Sequence, residues 1–408
     1  MTQLLIETGI KIAIILGGLM TAAAYFVLLE RRMAAWVQDR IGPNRVGIPG
    51  TNVRLFGLGQ PLADGIKFIL KEEYTPAHVN YALYAIAPIV ILTAALTTFV
   101  VIPMGSLFPR FQVQSVDTQH NIELIAAPGI DVGLILIFAL SSIAVYGVIL
   151  GGWSSNNKYS FLGGLRSSAQ LIAYELPLSL GILGVVLAAG SLDIDAITKA
   201  QAVQGWYGLL QPLGFVVFLI AAFAEASRLP FDLPEAEQEL IGGYHTEYAG
   251  MKLLLFLVAE FLHMIAASFL IVQLFLGGWH LPYLTGDLAD DKITWVTALL
   301  RIAVLQGKIF AVIVFFMLVR WSWPRFRFDQ LMSLAWKIML PLGIVNLVAV
   351  AVVQEFEPAD KATATIIAIV VGWAVLIGGW LAVAIANPLV TDNRPRRDLS
   401  VAEIDAQI

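Results

Sequence analysis

Long stretches of the chain carry no Asp, Glu, Lys or Arg: residues 12–29, 74–109, 132–157, 176–192, 200–224, 261–286, 338–354 and 362–391. A membrane-spanning helix needs about 20 mostly apolar residues. With some helices extended through a single internal charge, the pattern predicts nine spans. They lie near residues 8–30, 82–104, 131–151, 168–190, 207–226, 250–277, 294–319, 331–354 and 363–386. Most are apolar on all sides, as lipid-embedded or bundle-core helices are. A transmembrane β-barrel would alternate apolar and polar residues, and these runs do not. The expected fold is an all-α integral membrane protein of about nine transmembrane helices, one polytopic domain over residues 1–408 with interfacial helices on the cytoplasmic side.

Composition narrows the function. The chain has 408 residues, 58% hydrophobic and 13% charged, with mean hydropathy +0.79. Soluble domains carry roughly 25% charged residues, so a water-soluble globular enzyme is excluded. A net charge of −5 leaves no basic surplus for nucleic acid. The absence of Cys excludes a thiolate metal site or a Cys-ligated iron–sulfur cluster in this chain. Any electron-carrying cluster must sit in a partner.

Basic residues set the orientation. The first span does not read as a cleaved signal peptide, because it lacks a basic start and ends in Glu30-Arg31-Arg32. Those arginines should hold its C-terminal end in the cytoplasm, with the N-terminus outside. On that assignment 18 of the 25 Lys and Arg fall in inside loops. Only Arg110, Lys199, Lys292 and Lys361 fall outside, while Lys11, Arg301 and Lys308 lie within spans. The bias supports nine crossings and a cytoplasmic tail, residues 387–408.

Some charges stand where a bilayer disfavours them, at about 2.5–3.5 kcal/mol each on insertion scales. Glu175 lies within span four, followed by Pro177; Glu225 closes span five. Glu260 is about ten residues into span six, with His263 on the same face. Arg301 and Lys308 share a face of span seven. One reading makes these buried ion pairs that fix helix packing, for instance Glu260 with Lys308. The other makes them protonatable sites through the membrane, with occupancies that respond to local charge.

Two cytoplasmic segments are unusual. In the acidic loop 227–249, Pro230 and Pro234 exclude one continuous helix. Leu229, Phe231, Leu233, Leu240 and Ile241 interleave its carboxylates, which suits a buried polar funnel better than a solvated docking loop, though both readings stay open. In the segment 31–80, residues 31–40 are expected to form an interfacial helix with Met33, Trp36 and Val37 toward lipid. Gln60 to Lys71 reads as a second short helix, with Asp64 and Lys67 as neighbours on it. The outside loop 105–130 has room for another interfacial helix. A ligand with an apolar tail and a polar head would fit between such elements.

Several ordered segments carry a resemblance. They are Glu30-Arg31-Arg32, the run 40–47 (RIGPNRVG), Gln60-Pro61-Leu62-Ala63-Asp64, the run 151–159 (GGWSSNNKY), Ala173-Tyr174-Glu175-Leu176-Pro177, and the run from Glu225 through Ala249. Together they resemble the H-type membrane subunits of the proton-pumping NADH:quinone oxidoreductases, respiratory complex I. The resemblance runs from about residue 8 to 386, with no clear match for 283–292 or beyond 391. It implies a membrane-arm subunit in a bacterial inner membrane that forms much of the quinone chamber and the acidic path coupling quinone reduction to proton translocation. It implies quinone as substrate, and membrane lipid and the other complex I subunits as partners, including the one with the terminal iron–sulfur cluster. No metal or cluster, no nucleic acid and no complete catalytic site are expected of this chain alone. Residues matching the chamber and its access region are Glu30, Arg31, Arg40, Asp64, Lys67, Arg228, Phe231 and Asp232. Those matching the acidic path are Glu175, Glu225, Glu235, Glu237, Glu239, Glu247 and Glu260. Related subunits anchor energy-converting hydrogenases, reduced-deazaflavin dehydrogenases and photosynthetic NDH complexes, which the motifs separate poorly. A stand-alone transporter is disfavoured because no internal repeat is visible. A purely structural anchor would keep its charges as inert ion pairs.

Overall fold

Uninterrupted apolar sequence with few helix breakers folds as helix, because in a bilayer each peptide group must be bonded within its own segment. The computed structural model describes residues 2–47, 56–106, 124–127, 129–232, 241–282, 284–285, 294–356 and 361–386. Among them the regular elements are all helical. In chain order these are α1 (Thr2–Val37), α2 (Gln60–Leu70), α3 (Tyr81–Thr97), α4 (Gly133–Ser154), α5 (Lys158–Ala189) and α6 (Ile194–Gln204). There follow α7 (Tyr207–Leu210), α8 (Pro212–Glu225), α9 (Gly250–Phe275), α10 (Trp295–Ser322), α11 (Phe328–Glu355) and α12 (Lys361–Ala386). Eight described helices are long and apolar enough to cross a membrane, and α8 is a shorter apolar helix in the position of the predicted fifth span. The chain is an all-α multi-pass membrane protein.

Local chemistry sets several boundaries. Asn157 caps α5 by accepting from the Tyr159 amide, and Asp193 caps α6 by accepting from Asp195 and Ala196. Gly190 ends α5 in the left-handed conformation, φ 67°. The fifth span departs from one continuous helix: Gln211 sits at φ −131°, ψ 62° between α7 and α8, and Pro212 opens α8. The helix expected over residues 31–40 is not separate, because α1 continues to Val37. Met33, expected to face lipid, is buried, whereas Trp36 and Val37 are exposed. The helix expected from Gln60 forms as α2 and has no buried residue. Most of loop 105–130 lies outside the described residues.

Helix α9 forms the centre: 72% of its apolar window is buried, against none of that of α12, which lies at the periphery. Small residues let neighbours approach. A methyl on Gly152 of α4 would meet the Ser160 carbonyl oxygen at 2.8 Å. One on Gly163 of α5 would meet Gly243 at 2.7 Å, which brings the start of α5 against the turn Gly243–His245. Contacts among Glu30, Arg228 and Arg320 put the ends of α1, α8 and α10 together at one end of the bundle.

Candidate functional site: buried carboxylates at one end of the bundle

The turn that follows α8 is held from both sides. Gln170 of α5 donates to the carbonyls of Ala224 (2.9 Å) and Phe231 (2.8 Å). The Phe326 amide donates to Pro230 at 3.2 Å. Phe231 is buried against Tyr174 and Phe326, so it is a packing residue of this turn. In this portion of the acidic loop Arg228, Pro230, Phe231 and Asp232 are buried. Glu235, Glu237 and Glu239 lie outside the described residues.

The turn aims Arg228, 3% exposed, at two carboxylates. Its Nη1 donates to both Glu30 oxygens, at 3.0 and 3.2 Å, and its Nε stands 3.0 Å from Glu260 Oε1. The guanidinium lies 4.3 Å from the ring centre of Phe261. Glu30 also accepts from Arg320, and Asp232 from Arg325 at 3.2 Å. Three carboxylates and three arginines thus assemble from α1, α9, α10 and the two loops. Burial, with the nearby Glu260 charge, raises the Asp232 carboxyl to about 6, against the opposing pull of Arg325 and Arg320.

Behind Glu260 lies a cavity of about 50 Å³, room for a few waters. Glu175, Glu225, Glu260 and His263 line it, with Ser141, Ser142, Ser167 and Ser227. Ser142 donates to Glu175, and Ser141 hydrogen-bonds Glu225. Glu260 belongs to both groups, so the arginine cluster and the serine-lined cavity are contiguous. Glu247 is tied by Asn157 at 2.6 Å, and its carbonyl accepts from Tyr84 at 2.7 Å. Nearby, burial lowers His245 to about 4, leaving a neutral imidazole at ordinary pH.

The remaining first-loop residues are set apart. Arg31 pairs with Asp64 at 2.6 Å, and Gln60 donates to Asp64 at 3.0 Å, which ties α2 to the end of α1. Arg40 is exposed and bonds Gln38, and Lys67 is exposed on α2. The suggested Glu260–Lys308 pair does not form. Lys308 instead donates to the carbonyls of Leu276, Gly278 and His280 at 2.6, 3.0 and 2.8 Å, beyond the C-terminus of α9. Those carbonyls lack helical donors, and an ammonium satisfies them. Arg320 and Arg325 were visible only as part of the charge bias. The signal that would have found them is depth, since Arg320 closes a span on the same side as Glu30. Ser141 and Ser142 gave no signal as polar residues in an apolar run.

Residues 10–351 match the family model described as NADH dehydrogenase, which ends before α12 and so short of the expected residue 386. The chain is 42% identical over 351 residues to an H subunit of the NADH-quinone oxidoreductase of Cytophaga hutchinsonii, covering 85% of this chain and 96% of the relative. It is 42% identical over 351 residues to NADH-quinone oxidoreductase subunit 8 of Rhodothermus marinus, covering 84% and 96%. With an H subunit of the NADH-quinone oxidoreductase of Geobacter metallireducens it shares 46% identity over 338 residues, covering 83% and 93%. A polytopic bundle with buried carboxylates, matched over most of its length in this way, belongs to the NADH dehydrogenase family, as a membrane subunit of an NADH-quinone oxidoreductase that works with the other subunits of that complex.

Proposed function

We propose that this chain forms much of the quinone chamber of its oxidoreductase and carries the acidic path that couples quinone reduction to proton translocation. The N-terminus is outside and the C-terminus cytoplasmic, in a bacterial inner membrane. Quinone reaches the chamber from the bilayer past α2, whose Leu62, Ile66, Ile69 and Leu70 are exposed, as an amphipathic helix at a lipid surface presents them. Glu30, Arg31, Arg40, Asp64, Lys67, Arg228 and Asp232 provide its polar side, with Phe231 fixing the turn. Electrons come from an iron–sulfur cluster in a partner subunit. Glu235, Glu237, Glu239 and Glu247 continue the acidic path in the loop.

The observation that carries the proposal is the contiguity of the two groups through Glu260. When the quinone gains electrons and protons, the charge change biases Arg228 between Glu30 and Glu260. Glu225, Glu175 and Glu260 then change proton occupancy in sequence. Water in the cavity lets those protons move. Glu225→Gln and Glu175→Gln in the intact complex test this: assembly persists, and proton translocation per quinone reduced falls. Full translocation in both variants refutes the path.

A further inference from the structure

Three carboxylates and one imidazole line the serine-lined cavity, and the proposed path uses only the carboxylates. Each carboxylate has a side-chain partner: Glu260 has Arg228, Glu175 has Ser142 and Glu225 has Ser141. His263 differs. It makes no hydrogen bond to any described residue, and neither of its ring nitrogens is sealed from a water-sized molecule. It follows Glu260 by three residues, so the two share a face of α9, and it lies about 4.5 Å further along the axis, at 1.5 Å per residue. That puts His263 midway along α9, past the arginine cluster, in a cavity to which α5 supplies Glu175 and α8 supplies Glu225.

A neutral imidazole has one N–H donor and one acceptor nitrogen. It takes a proton from one water at the free nitrogen and releases the N–H proton to a second water. The ring is neutral before and after, and a ring flip restores its tautomer. The residue type suits its surroundings. A fourth carboxylate would add like charge among three acids, and a lysine would hold those acids in their charged form. An imidazole that rests neutral at this depth also avoids the standing cost of a charge inside a membrane.

On the footing of the acidic path proposed for this chain, we propose that His263 is a further proton-carrying residue of it. By way of water in the cavity, the imidazole carries protons between Glu260 and the two serine-bound carboxylates, Glu175 and Glu225.

The test uses the intact complex in sealed vesicles, with His263→Asn and His263→Ala. Both variants should assemble and translocate protons about tenfold more slowly. Added imidazole should restore His263→Ala, because it refills the emptied volume with a proton carrier. Pyrrole, of similar shape but without an acceptor nitrogen, should not. Full translocation in His263→Asn overturns the proposal, as does rescue by both probes, which reports packing alone, or by neither. Glu225→Gln and Glu175→Gln, measured alongside, separate this step from the path itself. If they impair translocation and His263→Asn does not, the path stands without His263; if all three translocate fully, both fall. Independently of any variant, the unmodified complex with nitrogen-isotope-labelled histidine should show isotope-sensitive ring bands in its infrared difference spectrum on quinone reduction. Absence of such bands overturns the proposal.

Discussion

The two halves of the carboxylate site bury the same functional group in opposite ways. At the end of the bundle, Glu30, Glu260 and Asp232 meet arginines, whereas in the adjoining cavity Glu175 and Glu225 meet serines. A guanidinium only donates, so it pairs with a carboxylate in its charged form. A hydroxyl donates or accepts, so it stays bonded to a carboxylate in either protonation state. The arginine half is therefore suited to holding shape and sensing charge, and the serine half to exchanging protons. Glu260 touches both, which makes the Arg228–Glu260 contact the place where one half can inform the other.

The comparison is broken most severely at Arg228. Arg228→Met strands Glu30 and Glu260 as a buried like-charged pair with less compensation, and should cost about 3–5 kcal/mol. Loss of assembled complex, or a large drop in its thermal stability, checks this. Arg228→Lys should rescue only in part, because an ammonium lacks the planar fork that serves two carboxylates. Glu225→Gln should leave assembly intact and lower proton translocation by tenfold or more in reconstituted vesicles. Equal damage to stability would erase the distinction between the halves.

Asp232 sharpens the comparison through pH. Its folded value of about 6 lies above the unfolded value near 3.9, so the folded state binds more protons between those limits. Its contribution to stability is fully present below about pH 4 and is lost as pH rises through about 6. Hydrogen-exchange protection of residues 226–232 should fall across that window, and Asp232→Asn should flatten the dependence. The smallest effect belongs to Ser142→Ala, which removes one hydroxyl partner of Glu175 at about 1 kcal/mol. Its mark should be slower translocation with unchanged quinone binding.

The spans were legible because hydropathy is a local property of the chain. The end of α1 was not, because Trp36 and Val37 read equally well as an interfacial helix or as the last turn of a long one. That Glu175 and Glu260 stand on membrane-spanning helices was legible too, since they interrupt apolar runs. Their partners were not. Lys308 lies within a span near Glu260 in sequence pattern, yet it bonds carbonyls about 24 Å further along the axis of α9, at 1.5 Å per residue. Pairing depends on the depth and rotation of helices packed far apart in sequence, which periodicity within one helix does not encode.

Redox-difference infrared spectroscopy of the intact complex tests the central claim most directly. Reducing the quinone should produce a protonated-carboxyl band that disappears in Glu225→Gln and in Glu175→Gln and persists in Asp232→Asn. A band unchanged in both cavity variants would contradict proton exchange in the serine-lined cavity.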